Sequence, residues 1–257
     1  SAIKPFTALG VLILADEGKL KLDTRLSAIF PDFPHKDIRL KHLLTHTSGI
    51  YDYFDEEVIE DFGALFQVVP INKILGPCDM LPMMITGECY FSPGEQFKYC
   101  NSGFVVLGML IEVVSGQSYA DYLEENIIKP LDMQGTGCYK TNQLPKNTAI
   151  GYMKNDDNSW SSNIFEIPMS CTADGGLFTT TDDVRKLWNG FIKGGLISNE
   201  LKAQALTKQV QRNENGHYGL GFYINNDEGG SIKNYELVGC DPGVSFLSTY
   251  IVESDTI

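Results

Sequence analysis

The chain has 257 residues, 43% of them hydrophobic and 21% charged, enough to bury the core of one large domain or two interleaved ones and unlike a disordered polymer. Its 33 acidic residues outnumber 20 basic ones for a formal charge of −13, the wrong sign for a phosphate-binding surface, so no nucleic-acid partner is expected. The longest apolar run, Phe104 to Val114, is interrupted by Gly108 and Glu112 and is far shorter than the roughly 20 residues of a membrane-spanning helix.

In chain order, residues 3–16 place apolar side chains at helical spacing and stop before Gly18, a C-cap, so a buried helix is expected at the start. LKLDTRLSAIF reads as a turn and a short helical piece, closed by the two prolines of PDFP. IRLKHLLTHTSG reads as a short helix stopping at Gly49, followed by the irregular acidic YDYFDEEVIEDFG and a second helical region up to about Ile85. A turn at Pro93-Gly94 and an extended piece lead into the apolar helix that ends at Gly116, and SYADYLEENIIKPLDM is an amphipathic helix stopped by Pro130.

Residues 135–170, rich in Asn, Asp and Ser, read as loops with short strands. TTDDVRKLWNGFIKGG predicts a helix with Thr180 or Thr181 as N-cap and Asp182 and Asp183 favourably placed in its first turn. YGLGFYI, IKNYELVGC and VSFLSTYIV then read as strands, joined by a Gly-rich hairpin and a tight Asp241-Pro242-Gly243 turn. The class is therefore α+β. We divide it into a helix at 1–20, a mostly helical region with loops at 21–170, and a helix followed by sheet strands at 171–257. The six cysteines form no CxxC pair and are read mostly as small buried apolar residues in a reducing setting.

Four sets of residues bear on chemistry. Ser1 and Lys4, three apart at the head of a helix, have adjacent side chains, and a lysine whose pKa is lowered by burial can take a serine's proton. In KYCNSG, Tyr99 and Asn101 alternate on an extended segment and so face the same way, with Asn101 also where an N-cap would stand; a phenol among lysines loses its proton more easily. ELVGCDPGVSF offers Gly239, where a backbone edge can approach a ligand and lend N–H donors, or an ordinary hairpin turn. His42 and His46 resemble a zinc pair at i and i+4, but the residues between them are Leu43, Leu44 and Thr45, without the glutamate of HExxH, so structural histidines are expected and no metal.

Together and in order, SAIKPFTALGVLILADEGKLKLD, IRLKHLLTHTSGI, the FSPGEQFKYCNSG segment with its following helices, ADGGLFTTTDDVRKL and YGLGFYI resemble the serine β-lactamase and penicillin-binding protein superfamily, in its class C-like branch. That resemblance implies a β-lactamase/transpeptidase-like fold, an antiparallel sheet flanked by helices plus a mostly helical domain, with the active site between them. It implies that Ser1 is the nucleophile of an SxxK motif and Lys4 its lysine, and that Tyr99 and Asn101 belong to a Tyr-x-Asn motif with Cys100 in the middle. Gly239, Cys240 and Asp241 match the substrate-binding strand. The expected substrate is a small molecule or peptide, namely a β-lactam, a D-amino-acid peptide or an ester, with no cofactor.

The chain departs from that pattern in two ways. The Lys-Thr-Gly or His-x-Gly of the family is replaced by Val238-Gly239-Cys240-Asp241, which removes the cation for a substrate carboxylate and shifts weight toward esters and aminopeptidase-like substrates. A nucleophile at position 1 would carry an α-amine, with a pKa near about 8, where the family uses a peptide N–H. The intact protein is therefore expected to extend beyond both ends. Two other classes remain: a non-catalytic penicillin-binding-like sensor or scaffold, and an N-terminal nucleophile hydrolase, which would begin on a strand instead of a helix.

Overall fold

The computed structural model describes residues 1–55, 57, 59, 66–84 and 88–257. Helix α1, Lys4–Asp16, starts with Pro5 in its first turn, where a missing N–H costs nothing. It is buried from Lys4 through Leu14, polar Lys4 and Thr7 included, so it is a central helix without a solvent face. Gly18 takes φ +75° just past its end, as expected of a C-terminal glycine. Gly10 lets a neighbour close in: a Cβ there would lie 2.9 Å from Ile111.

Ile111 belongs to the helix that packs along α1. Helix α2 is Leu40–Leu44 and α3 is Leu81–Met84. Helix α4 is Asn101–Ser115, closed by Gly116 in the left-handed conformation, and α5 is Tyr119–Leu123, continuing as a π-helical turn at Glu124–Ile128. The helical region expected up to Ile85 consists, where described, of helical residues 66–68, of 3-10 turns at Ile71–Lys73 and Pro77–Met80 and of α3; residues 56, 58, 60–65 and 85–87 of that stretch lie outside the described residues.

The loops of 135–170 carry a small hairpin, β1 at Tyr152–Lys154 and β2 at Trp160–Ser162. Helix α6, Thr181–Ile192, has Thr180 as N-cap, its side chain accepting from the Asp183 N–H. Helix α7, Asn199–Ala205, and strand β3, Val210–Asn213, were not singled out in the sequence. With β4 (Gly216–Tyr218), β5 (Tyr223–Asn226), β6 (Ile232–Asp241) and β7 (Val244–Ile251), β3 forms a five-stranded antiparallel meander in chain order.

Aromatic packing fixes α6 to the sheet: Trp188 stacks on Tyr250 and donates to the Ser248 hydroxyl at 2.9 Å, and Phe191 stacks on Phe222 at 4.8 Å. Helix α1 reaches the sheet through Gly221, where a Cβ would lie 2.3 Å from that of Ala8. The start of α1 is thereby wedged between α4 and the strands.

The cysteine expectation is corrected here. Cys138 and Cys171 form a disulfide with Cα atoms 5.3 Å apart, while Cys78 and Cys240 are exposed and Cys100 is the fully buried thiol. A bond between residues 33 apart depends on how two loops meet in space, which spacing alone does not reveal.

Candidate active site

Lys4 lies at the centre of the site, only 2% exposed. Its Nζ donates to Asn101 Oδ1 at 2.8 Å, to the Asp174 carbonyl at 3.0 Å and to Ser1 Oγ at 3.1 Å. The Tyr99 hydroxyl donates to the same Ser1 Oγ at 3.0 Å. Ser1, Lys4 and Tyr99 therefore meet around one oxygen atom, and the Lys4 ammonium position lies 4.9 Å from the centre of the Tyr99 ring.

Each partner is held by its own element. Asn101 is the first residue of α4, with Cys100 as N-cap, which corrects the N-cap reading of Asn101. Its side chain is free to bridge: Oδ1 accepts from Lys4, while Nδ2 donates to Asp52 Oδ2 at 3.1 Å. The buried Asp52 also accepts the backbone N–H groups of Asn101 and Ser102, so one carboxylate caps the first turn of α4. Asp174 hangs from a segment pressed between helices. A Cβ on Gly108 would lie 2.4 Å from that of Ala173, and Ala173 itself has φ +76°. The Thr7 hydroxyl donates to the Ala173 carbonyl at 2.6 Å, Tyr53 donates to Asp174 Oδ2 at 2.6 Å, and Thr172 to Oδ1 at 2.6 Å.

The two histidines separate. Helix α2 ends at Leu44 and His46 has φ +55°, so the i, i+4 relation does not bring the rings together on one helix. His42 Nδ1 accepts from the Arg39 N–H. His46 is buried behind the site: its ring is 4.4 Å from that of Tyr99, its Nδ1 accepts the Cys100 N–H at 3.1 Å, and its carbonyl accepts the Lys98 N–H at 2.9 Å. It thus grips both sides of Tyr99. Among the described residues no group of three or more His, Cys, Asp or Glu is placed to hold a metal ion.

Burial sets the proton affinities. It lowers the Lys4 pKa below the ordinary 10.5, opposed by the Asp174, Asp52 and Asp241 carboxylates. It raises that of Tyr99, so the sequence expectation of an easily ionised phenol is corrected: one buried lysine, and not a ring of them, stands beside it. His46 is pushed well below 6.5 by burial and by Lys4, and stays neutral.

The end of β6 forms the other wall. A Cβ on Gly239 would lie 2.7 Å from the Ala2 nitrogen, so only glycine lets this strand pass the head of α1. Cys240 and Asp241 are exposed, and Asp241 Oδ2 comes within 3.5 Å of the Ser1 nitrogen. Between the walls opens a cleft of about 1450 Å³ that includes Ser1, Tyr99, Asn101, Asp174, Tyr223 and the Gly239–Asp241 edge. The sequence reading missed Asp52, Asp174 and the bracing role of His46. All three lie in stretches the sequence singles out, His46 in IRLKHLLTHTSGI, Asp52 in YDYFDEEVIEDFG and Asp174 in ADGGLFTTTDDVRKL, but none has a motif spacing to Ser1.

A lysine at the head of a buried helix and a serine in the turn before it, meeting a tyrosine at the edge of an antiparallel sheet, define a protein of the β-lactamase/transpeptidase-like fold. The comparisons agree. A superposition on a penicillin-binding protein from Bacillus halodurans gives a TM-score of 0.95 at 37% identity, covering 99% of this chain and 78% of that one. A D-stereospecific amidohydrolase from a Streptomyces species aligns with a TM-score of 0.81 at 25% identity, covering 98% and 77%. Penicillin-binding protein 4* of Bacillus subtilis is 30% identical over 262 residues, 96% of this chain but 56% of that protein. The chain spans about half to three-fifths of the length of the curated relatives it matches. The Beta-lactamase family model matches residues 1–248, and the chain belongs to that family, within the superfamily of serine β-lactamases and penicillin-binding proteins.

Proposed function

We propose that the protein is a serine hydrolase that forms an acyl-enzyme on Ser1, with Lys4 and Tyr99 sharing the proton traffic, acting on a β-lactam, a D-amino-acid peptide or an ester. The observation that carries this reading is the convergence of Lys4 Nζ and Tyr99 Oη on Ser1 Oγ, at 3.1 and 3.0 Å. A neutral amine has two N–H groups, and two carbonyl oxygens, of Asn101 and Asp174, accept them. Its lone pair then faces the Ser1 hydroxyl. Burial favours this neutral form, so Lys4 is the base, and Tyr99, kept protonated by burial, donates to the serine oxygen and passes a proton toward the leaving group.

Ser1 Oγ attacks the carbonyl as its proton moves to Lys4. The leaving group departs with that proton by way of Tyr99, and water or an amine then displaces the acyl group from Ser1. The oxyanion is assigned to main-chain N–H groups of the Gly239–Asp241 edge, which passes the head of α1 at Ala2, with the Ser1 nitrogen as second donor where a peptide bond precedes it. The amidohydrolase among the structural relatives supports amide substrates as much as β-lactams.

A second reading rests on Asp241, a carboxylate at the strand end where the family pattern leads one to expect a cation: a sensor that acylates once and does not turn over. Intact-mass measurement with a penicillin probe and an ester probe decides between them. Steady ester turnover supports the hydrolase, one acyl group per chain without turnover supports the sensor, and persistent labelling of Ser1→Ala overturns both.

A further inference from the structure

We infer that Asp241 selects acyl donors that carry an ammonium group close to the scissile carbonyl, an inference that rests on Ser1 being the nucleophile. The carboxylate bridges the mouth of the cleft. Its Oδ2 is 3.5 Å from the Ser1 nitrogen, and its Oδ1 lies 3.8 Å from where a Gly175 Cβ would stand, so it looks from β6 across to the Asp174–Gly176 segment, where the glycine leaves open space. At 44% exposure it can meet a ligand without first being uncovered.

Most other charges of the cleft are engaged, while Lys146 and Glu166, on the loops of 135–170, also line it. Asp52 and Asp174 receive hydrogen bonds from Asn101, Ser102, Tyr53 and Thr172. Lys98 pairs with Asp55 at 3.2 Å and with Glu57 at 2.8 Å, and Arg212 lies over the Tyr223 ring at 5.1 Å. Nearest the nucleophile, then, Lys4 is a buried cation and Asp241 an accessible anion whose one ionic contact in this structure is the amino group of Ser1. A substrate carboxylate placed beside Ser1 meets like charge at close range, whereas an ammonium meets a partner.

The same carboxylate acts on the base. Lys4 is faced by Asp174, Asp52 and Tyr223, with His46 behind it, and by Asp241; these carboxylates favour its protonated form against the effect of burial. A substrate ammonium seated on Asp241 offsets that charge and returns Lys4 toward the neutral amine. The correct substrate thereby arms the site with its own charge, and a carboxylate-bearing one does not.

The test compares second-order rates of Ser1 acylation by D-alanine benzyl thioester, its N-acetyl derivative and its N-succinyl derivative, which place a cation, a neutral group and an anion at one position. The expected order is ammonium, acetyl, succinyl. In Asp241→Asn the ammonium substrate is expected to lose about tenfold or more while the acetyl substrate holds or gains, with the acidic limb of its pH profile moved to lower pH. Asp241→Glu is expected to keep the ammonium preference. Equal losses for all three substrates in both variants, or succinyl as the preferred group, overturn the inference; succinyl preference abolished by Arg212→Gln assigns an anionic substrate to Arg212 instead. Failure of the nucleophile assignment looks different, since labelling then survives Ser1→Ala with every substrate.

Discussion

The two walls of the cleft are built on opposite plans. The helical wall, with Lys4, Asn101, Asp52 and Asp174, is buried and cross-linked by hydrogen bonds of 2.6 to 3.1 Å, so that each polar group has a partner at fixed distance. The strand wall, with Cys240 and Asp241, exposes its side chains; its backbone is held by pairing with β7, by the close approach at Gly239 and by Asn163 Nδ2 donating to the Pro242 carbonyl at 2.9 Å. Burying a polar network is costly unless it is satisfied, and once satisfied it permits a single arrangement. Proton transfer needs that rigidity. A surface that meets varied ligands does not, and it can change charge without disturbing the fold.

That contrast can be broken or sharpened by substitution. Ser1→Ala is expected to have the largest effect, abolishing covalent labelling and lowering turnover by about 10⁴-fold or more, read by mass spectrometry and ester hydrolysis. Lys4→Met should follow, with a loss of about 10³-fold and disappearance of the acidic limb of the pH profile, on which activity rises as Lys4 loses its proton. That limb should lie below 10.5 in the native protein, because burial lowers the Lys4 pKa. The sign for stability follows by linkage: between the folded value and 10.5 the unfolded chain holds more protons, so the Lys4 contribution to stability rises with pH across that window, and melting of Lys4→Met should lack this slope.

Asp52→Ala should cost about 2–4 kcal/mol in denaturant unfolding, because it strands the Asn101 and Ser102 N–H groups inside the protein. Paired Cys138→Ser and Cys171→Ser should cost a similar 2–4 kcal/mol or somewhat less, with a fall in acylation rate, since Cys171 precedes the segment whose Asp174 carbonyl holds Lys4. Cys240→Ala, on the other wall, should stay within about 0.5 kcal/mol of the native stability. A large loss there would show that the strand wall is as tightly built as the helical one.

Local pattern alone determined a good deal of this. The spacing of residues 3–16, the glycines at 18 and 116 and the Thr180 cap each state their element within a few residues of chain, because helix periodicity and caps are short-range effects, whereas YGLGFYI, expected as one strand, spans the tight turn between β4 and β5. Ser1 and Lys4 are joined by the turn that leads into α1, closed by the Lys4 N–H on the Ser1 carbonyl at 3.1 Å, and were legible for the same reason. The π-helical turn at Glu124–Ile128, strand β3 and the Cys138–Cys171 bond were not, since each answers to neighbours distant in sequence.

Only the tertiary structure decided how the residues at 1, 4, 52, 99, 101 and 174 share one pocket, and what protonation they favour there. Those properties come from desolvation and from hydrogen bonds spanning as many as 170 positions, as between Lys4 and Asp174. Charge type is written in the residue, but the free energy of bearing that charge is set by what folding packs around it.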